Sequence, residues 1–366
     1  MPCAFDTATL ATYIGEVAGV DAVKLPAPLA RFDCRNNRLA LLGLTQDGFA
    51  DAVRAAIAQY GTQRIGVFIG TSTSGILQTE LAYRRRDATT GALPADFIYQ
   101  TTHNTFSVAD FTRQFFTLNG PAVAVSSACS SSAKVFASAR RMIAAGLIDA
   151  AVVGGVDSLC LTTLYGFNSL ELTSREACRP FDAQRSGISI GEAAAFALLE
   201  KPSQNLDAGA VLLMGTGESS DAYHMSSPHP DGLGARMAMQ QALQMAGLQS
   251  SNIDYINLHG TATQTNDAAE GKAVAAVFGN RTPCSSTKGA TGHALGAAGG
   301  LEAVICALAL RHGLVPAGIN VRQLDPALDL DYVLNERKQP LARVLSNSFG
   351  FGGTNCSLIL GRADAL

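Results

Sequence analysis

"PAVAVSSACSSSAKVFASARRMIAA", residues 121–145, reads as a short apolar strand, a turn of small hydroxyl residues with one cysteine at its centre, and a helix. The same order returns at 283–311, "PCSSTKGATGHALGAAGGLEAVICALALR". An echo of this kind marks a repeated structural unit. The strands that close each unit match as well: 150–156 with 194–200, then 342–349 with 355–360. Two similar halves follow, at 1–205 and 206–366, joined near "EKPSQNLDAGA" (200–210), whose Pro, Ser, Asn and Gly mark a surface connection.

Outward from the repeat, β-like runs such as "RIGVFIG" (64–70), "AVLLMGTG" (210–217) and "YINLHG" (255–260) alternate with helical stretches, which predicts an α/β layered fold. Phe49, Val53 and Ile57 fall at helical spacing before Gly61. "GLEAVICALALRHG" (300–313) is apolar nearly all round, so that helix must be buried. Ala and Gly on both central helices let helices and sheets approach closely, in a tight sandwich with those helices in the middle.

The chain has 366 residues, 47% hydrophobic and 16% charged, enough for a large core. Its net charge of −3 gives no reason to expect a nucleic-acid partner. Eight cysteines lack the CxxC or Cys/His spacing of a zinc site and read as reduced thiols. The N-terminus shows no basic start or continuous apolar run, and no segment approaches the ~18–20 uninterrupted apolar residues of a membrane span. A cytoplasmic protein is expected.

Cys129 falls where the strand gives way to the helix. Unpaired N–H groups and the positive dipole end there favour an anion and bring a thiol pKa from ~8.5 to roughly 3.5–7.5. The competing reading is an inert, buried thiol. His259 ends the strand of "NLHGTATQTNDAAEG" (257–271), and His293 sits with Lys288 in the glycine-rich turn "STKGATGHALGAAGG" (286–300). Each histidine alone reads as structural. With a cysteine placed the same way in the repeated half, they compose a Cys/His/His site at one end of the sheets.

These residues, with "RPFDAQRSGISIGEAAA" (179–195), "SSDAYHMSSP" (219–228), "HGTATQTNDAAE" (259–270) and "NSFGFGGTN" (347–355), resemble the elongating β-ketoacyl-[acyl-carrier-protein] synthases, condensing enzymes of the thiolase superfamily. The resemblance implies a thiolase-like five-layer αβαβα sandwich of two pseudo-symmetric halves. It also implies a dimer, homodimeric or heterodimeric with a homologous subunit, and decarboxylative condensation on phosphopantetheine of acyl carrier protein, with no bound metal or cofactor. By position, Cys129 is the acylated nucleophile, and His259 and His293 bind the extender thioester. Glu270 closes a polar network with Lys288, and Thr261 and Thr263 hold the phosphopantetheine arm. Phe351 is the gate with Phe349 beside it, the Cys129 and Phe351 N–H groups form the oxyanion hole, and Ile188 lines the acyl pocket.

Three features depart from the family pattern. Residues 1–30 show no opening strand with its Gly-rich turn, Ile188 stands where many relatives have phenylalanine, and the loop 168–182 is short. The last two lean the reading toward a specialised polyene or polyketide pathway over housekeeping fatty-acid synthesis. His293 argues against a coenzyme A thiolase, which places a second cysteine there. Cys129 argues against a chain-length factor, although the chain fits the catalytic half of such a pair. Arginines at 85 and 141 read as solvated faces or as a docking patch for an acidic carrier.

Overall fold

The computed structural model describes Phe5 and residues 10–203, 206–207 and 209–365. Two sheets carry the fold. The first has the order Ala122–Val125, Ile65–Gly70, Ala150–Asp157, Ala193–Glu200, with the first three strands parallel and the last antiparallel. The second runs Cys284–Ser285, Tyr255–Asn257, Arg343–Gly350, Thr354–Arg362, Val211–Ser220, again with three parallel strands before an antiparallel one. The repeat seen in the sequence is thus a repeat of strand order.

The Ser131–Ala144 and Ala298–His312 helices lie between the sheets. Val135 and Phe136 pack with Phe68 and Val153 of the first sheet, and Cys306 and Leu310 share that core with Val344 and Leu358 of the second. Arg35–Leu44, Phe49–Tyr60 and Ser107–Phe115 cover the outer face of the first sheet, and Leu233–Ala246 and Gln264–Phe278 that of the second. The result is a five-layer αβαβα sandwich. Leu295–His312 is long and apolar enough to cross a bilayer, yet it forms this central layer and is mostly buried.

Glycine makes the close approach possible. A Cβ at Gly70 would lie 2.3 Å from the Ser132 backbone nitrogen, and one at Gly155 2.5 Å from the Ser132 Cβ. Because both positions are bare, the start of the Ser131–Ala144 helix rests directly on the first sheet.

Val211–Ser220 has no counterpart beside Ala193–Glu200, which is an edge of the first sheet among the described residues. Ile14–Gly15 pairs instead with Ile190–Gly191, away from that sheet. Residues 1–4 and 6–9 lie outside the described residues, as do 204, 205 and 208 around the expected junction. Seven cysteines are free and buried, while Cys3 lies outside the described residues.

Candidate active site

The turn before the Ser131–Ala144 helix is held by its own hydroxyls. Ser131 Oγ accepts the Ser127 N–H at 2.8 Å and donates to the Ala128 carbonyl at 2.5 Å, and Ser130 Oγ donates to the Ser127 carbonyl at 2.9 Å. Ala128 is driven to φ 51°, a left-handed conformation that a residue with a Cβ adopts at a cost of order 1–3 kcal/mol. This turn presents Cys129 at the head of the helix.

The His293 turn is pinned by the Ile190–Gly191 strand: its N–H donates to the Ser189 carbonyl at 2.7 Å, and its carbonyl accepts the Gly191 N–H at 2.9 Å. The Leu295 N–H donates to His293 Nδ1 at 3.2 Å, so the ring proton is assigned to Nε2, which lies 3.1 Å from Cys129 Sγ. His259 is held from below, where Glu270 accepts its N–H at 2.8 Å and that of Gly260 at 2.7 Å. Lys288 Nζ donates to the His259 carbonyl at 2.5 Å and lies 3.4 Å from Nδ1, which again assigns the ring proton to Nε2. The two imidazoles meet edge to face with centroids 5.3 Å apart.

Burial pushes both histidines well below their usual pKa, and the Lys288 ammonium lowers them further. Both rings are neutral donors throughout the physiological range. The thiol departs from the sequence-based expectation: burial pushes Cys129 up to about 11, outweighing the favourable field of Lys288 and the Phe351 N–H bond to the sulfur. A helix terminus favours a thiolate only where water or a counter-charge also solvates it, and Cys129 is 5% exposed. The resting site therefore holds a thiol, with His293 Nε2–H directed at it. Alkylation of Cys129 by iodoacetamide is expected to accelerate about tenfold per pH unit between roughly pH 7 and 10. A rate that levels off near pH 7 contradicts this.

The acid paired with Lys288 is also a correction. Glu270 serves the backbone of His259 and Gly260 and accepts from Asn347 Nδ2 at 3.2 Å. The carboxylate that receives Lys288 Nζ is Glu302, from the central Ala298–His312 helix. Burial raises both acids to about 7. Glu302 had a signal in the sequence, as the sole acid in a helix that is otherwise apolar almost all round. Asp157 was missed too. It accepts the N–H groups of Ser72 and Thr73 at 2.8 Å and of Gly296 at 2.6 Å, and so braces the His293 turn.

A pocket open to solvent, with about 580 Å³ of empty space within it and at its mouth, leads to the sulfur. Its lining includes Cys129, His259, His293, Phe349 and Phe351, the hydroxyls of Thr261 and Thr263, and the apolar side chains of Ile188, Phe167 and Leu172. Thr261 Oγ1 and Thr263 Oγ1 are 2.9 Å apart, and Thr263 caps the Gln264–Phe278 helix. "FGFGG" is the connection of the Arg343–Gly350 and Thr354–Arg362 hairpin, with Gly352 and Gly353 at φ 76° and 71°. Phe351 packs on Phe167 at 5.5 Å and Phe349 on His259 at 5.9 Å.

Cys129 Sγ and one nitrogen of each ring lie within 4.8 Å of one another, a donor set of metal-ligating type. His293 Nε2 lies against the thiol and the buried Lys288 ammonium stands beside His259 Nδ1, so the set suits an oxygen that gathers negative charge better than a cation. Arg85 and Arg141 are both exposed and paired, with Asp96 at 3.0 Å and Glu218 at 2.6 Å.

Comparison with known proteins points to one family. Residues 37–205 match the beta-ketoacyl synthase N-terminal domain and 210–322 the C-terminal domain. The mitochondrial 3-oxoacyl-[acyl-carrier-protein] synthase of Arabidopsis thaliana is 42% identical over 258 residues, 66% of this chain and 56% of that protein. 3-Oxoacyl-[acyl-carrier-protein] synthase 2 of Rhizobium meliloti (strain 1021) is 42% identical over 260 residues, 67% of this chain and 62% of that one. The chain thus spans less than two thirds of the length of these two relatives. Among solved structures, a chain of the ketosynthase ApeO in complex with its chain length factor ApeC from Xenorhabdus doucetiae superposes with a TM-score of 0.88. Its identity is 41%, over 96% of this chain and 87% of that one.

Proposed function

The chain belongs to the beta-ketoacyl synthase family, and from that premise we propose that it condenses a Cys129-bound acyl group with malonyl-acyl carrier protein. The observation that carries the reading is the 3.1 Å approach of His293 Nε2 to Cys129 Sγ at the end of a cavity that His259 also lines. Cys129 sulfur attacks the thioester of an acyl carrier, the carrier thiol leaves with the proton, and the acyl group remains on the enzyme. Malonyl carrier then places its thioester oxygen before the two Nε2–H groups. These stabilise the enolate formed as carbon dioxide departs, and its carbon attacks the acyl-cysteine to give β-ketoacyl carrier. The Cys129 and Phe351 N–H groups receive the oxyanion of each tetrahedral step.

Lys288 with Glu302, and Glu270, fix His259 from below. Thr261 and Thr263 hold the phosphopantetheine arm, Phe351 with Phe349 gates the entry, and Ile188 faces the acyl chain. The reaction draws on no metal or organic cofactor of the enzyme's own and takes place in the cytoplasm. The partners are acyl carrier protein and a homologous subunit. The Ala122–Val125 strand, an apolar edge with Val123 exposed, supports edge pairing with that subunit. The likeness to a ketosynthase solved with its chain length factor favours a heterodimer and a polyene or polyketide pathway.

Intact-protein mass spectrometry after offering a panel of acyl carriers tests the proposal. Acyl mass on the native protein and none on Cys129→Ala is the expected result. Acylation that persists in Cys129→Ala removes the nucleophile assignment.

A further inference from the structure

Behind the cavity's apolar wall lies a buried cluster that the chemistry above leaves unused. Ile188 and Phe167 line the cavity and also belong to this cluster, with Leu77, Leu159, Leu164 and Leu295. Most of the other lining residues away from the sulfur, such as Ser226, Ser227, Thr261, Thr263 and Asn266, are polar, so the apolar side at Ile188 and Phe167 is the one an acyl chain suits. Leu77 stands on the Ile76–Arg84 helix and Leu164 on the Leu161–Ser169 helix, both regular elements.

Residues 10–17 also cross the cluster, as a strap, beside Phe5, Cys160 and Ile190. Leu10 is buried in it, and Ile14 packs against it. The strap's regular structure is one short parallel pairing, Ile14 with Ile190 and Gly15 with Gly191. Polar tethers hold the strap on either side of Ile14. Thr12 Oγ1 donates to the Ser174 carbonyl at 2.9 Å, and the Val17 N–H donates to Glu192 Oε1 at 3.0 Å. Arg35 in turn grips that carboxylate with Nη2 at 2.6 Å and Nε at 2.9 Å. A segment whose regular pairing is limited to two residues and which is tethered at Thr12 and Val17 yields more readily than a helix.

We propose that Leu10 and Ile14 determine the acyl length this enzyme accepts, acting from behind Ile188 as the deformable end of the acyl pocket. The inference rests on the condensation reading above. Leu→Ala removes three carbons, about the volume of one two-carbon extension unit.

A graded series of saturated acyl carriers, offered to the full chain and scored by acyl mass on Cys129, tests it. In Leu10→Ala, loading of the chain one unit beyond the native protein's longest is expected to rise about tenfold relative to a short chain, and in Leu10→Phe the native longest chain falls by a similar factor. If Leu10→Ala fails to fold, Ile14→Val applies the same test with a smaller step. A loading profile unchanged in the folded variants overturns the inference alone. No acyl mass on native Cys129 with any carrier overturns the condensation reading instead.

Discussion

Cys129→Gln abolishes condensation but leaves malonyl-carrier decarboxylation running. The prediction follows from how the site divides its work. The sulfur is needed to carry the acyl group, whereas the enolate is stabilised by His259 and His293, each positioned from its own side. His293 is set by the Leu295 N–H and the Ile190–Gly191 strand, and His259 by Glu270 and Lys288. None of these contacts involves the sulfur. A glutamine side chain matches an acyl-thioester in length and places an amide carbonyl near the Phe351 N–H, which bonds the sulfur in the native site. Carbon dioxide release from malonyl carrier, followed beside β-ketoacyl formation, is the measurement. If release stops together with condensation in a folded Cys129→Gln protein, the histidines do not act independently of the thiol and the division fails.

Much of this site was legible because its determinants are local. Cys129, His259 and His293 each sit where a strand yields to a helix, and the repeated strand-turn-helix pattern brings two such turns to one end of the sandwich. The buried helix was legible for the same reason, since only a helix covered on every side tolerates "AVICALAL". What escaped was set by distance in space. Lys288 reaches across to a carboxylate on the central helix, and spacing along the chain does not distinguish Glu302 from Glu270, which serves backbone amides instead. The thiol was misjudged because a helix terminus is visible in sequence and desolvation is not. Burial of Cys129 depends on how Phe351, Phe349 and both histidines close around it. Nor did residues 10–17 announce their place beside the Ile188 cluster, a contact between segments over 170 positions apart, as in Val17 to Glu192.

His293→Ala is expected to lower the decarboxylation rate by about 10²–10³, the loss typical of one oxyanion donor, or roughly 2.7–4 kcal/mol of transition-state stabilisation. The loss should fall on kcat, because the carrier and its phosphopantetheine arm still find the Thr261 and Thr263 wall, whereas the enolate forms only in the transition state. His293→Gln restores an N–H donor on a longer arm and should recover part of the rate. The pH profile adds an independent check. With both imidazoles held well below their usual pKa by burial and by Lys288, native decarboxylation should show no His293-dependent inflection as pH falls through 6.5, and any step near 7 from Glu270 or Glu302 should persist in His293→Ala. A step near pH 6.5 that vanishes in His293→Ala means that this ring titrates normally. The neutral donor pair on which enolate stabilisation rests is then not the working state of the site.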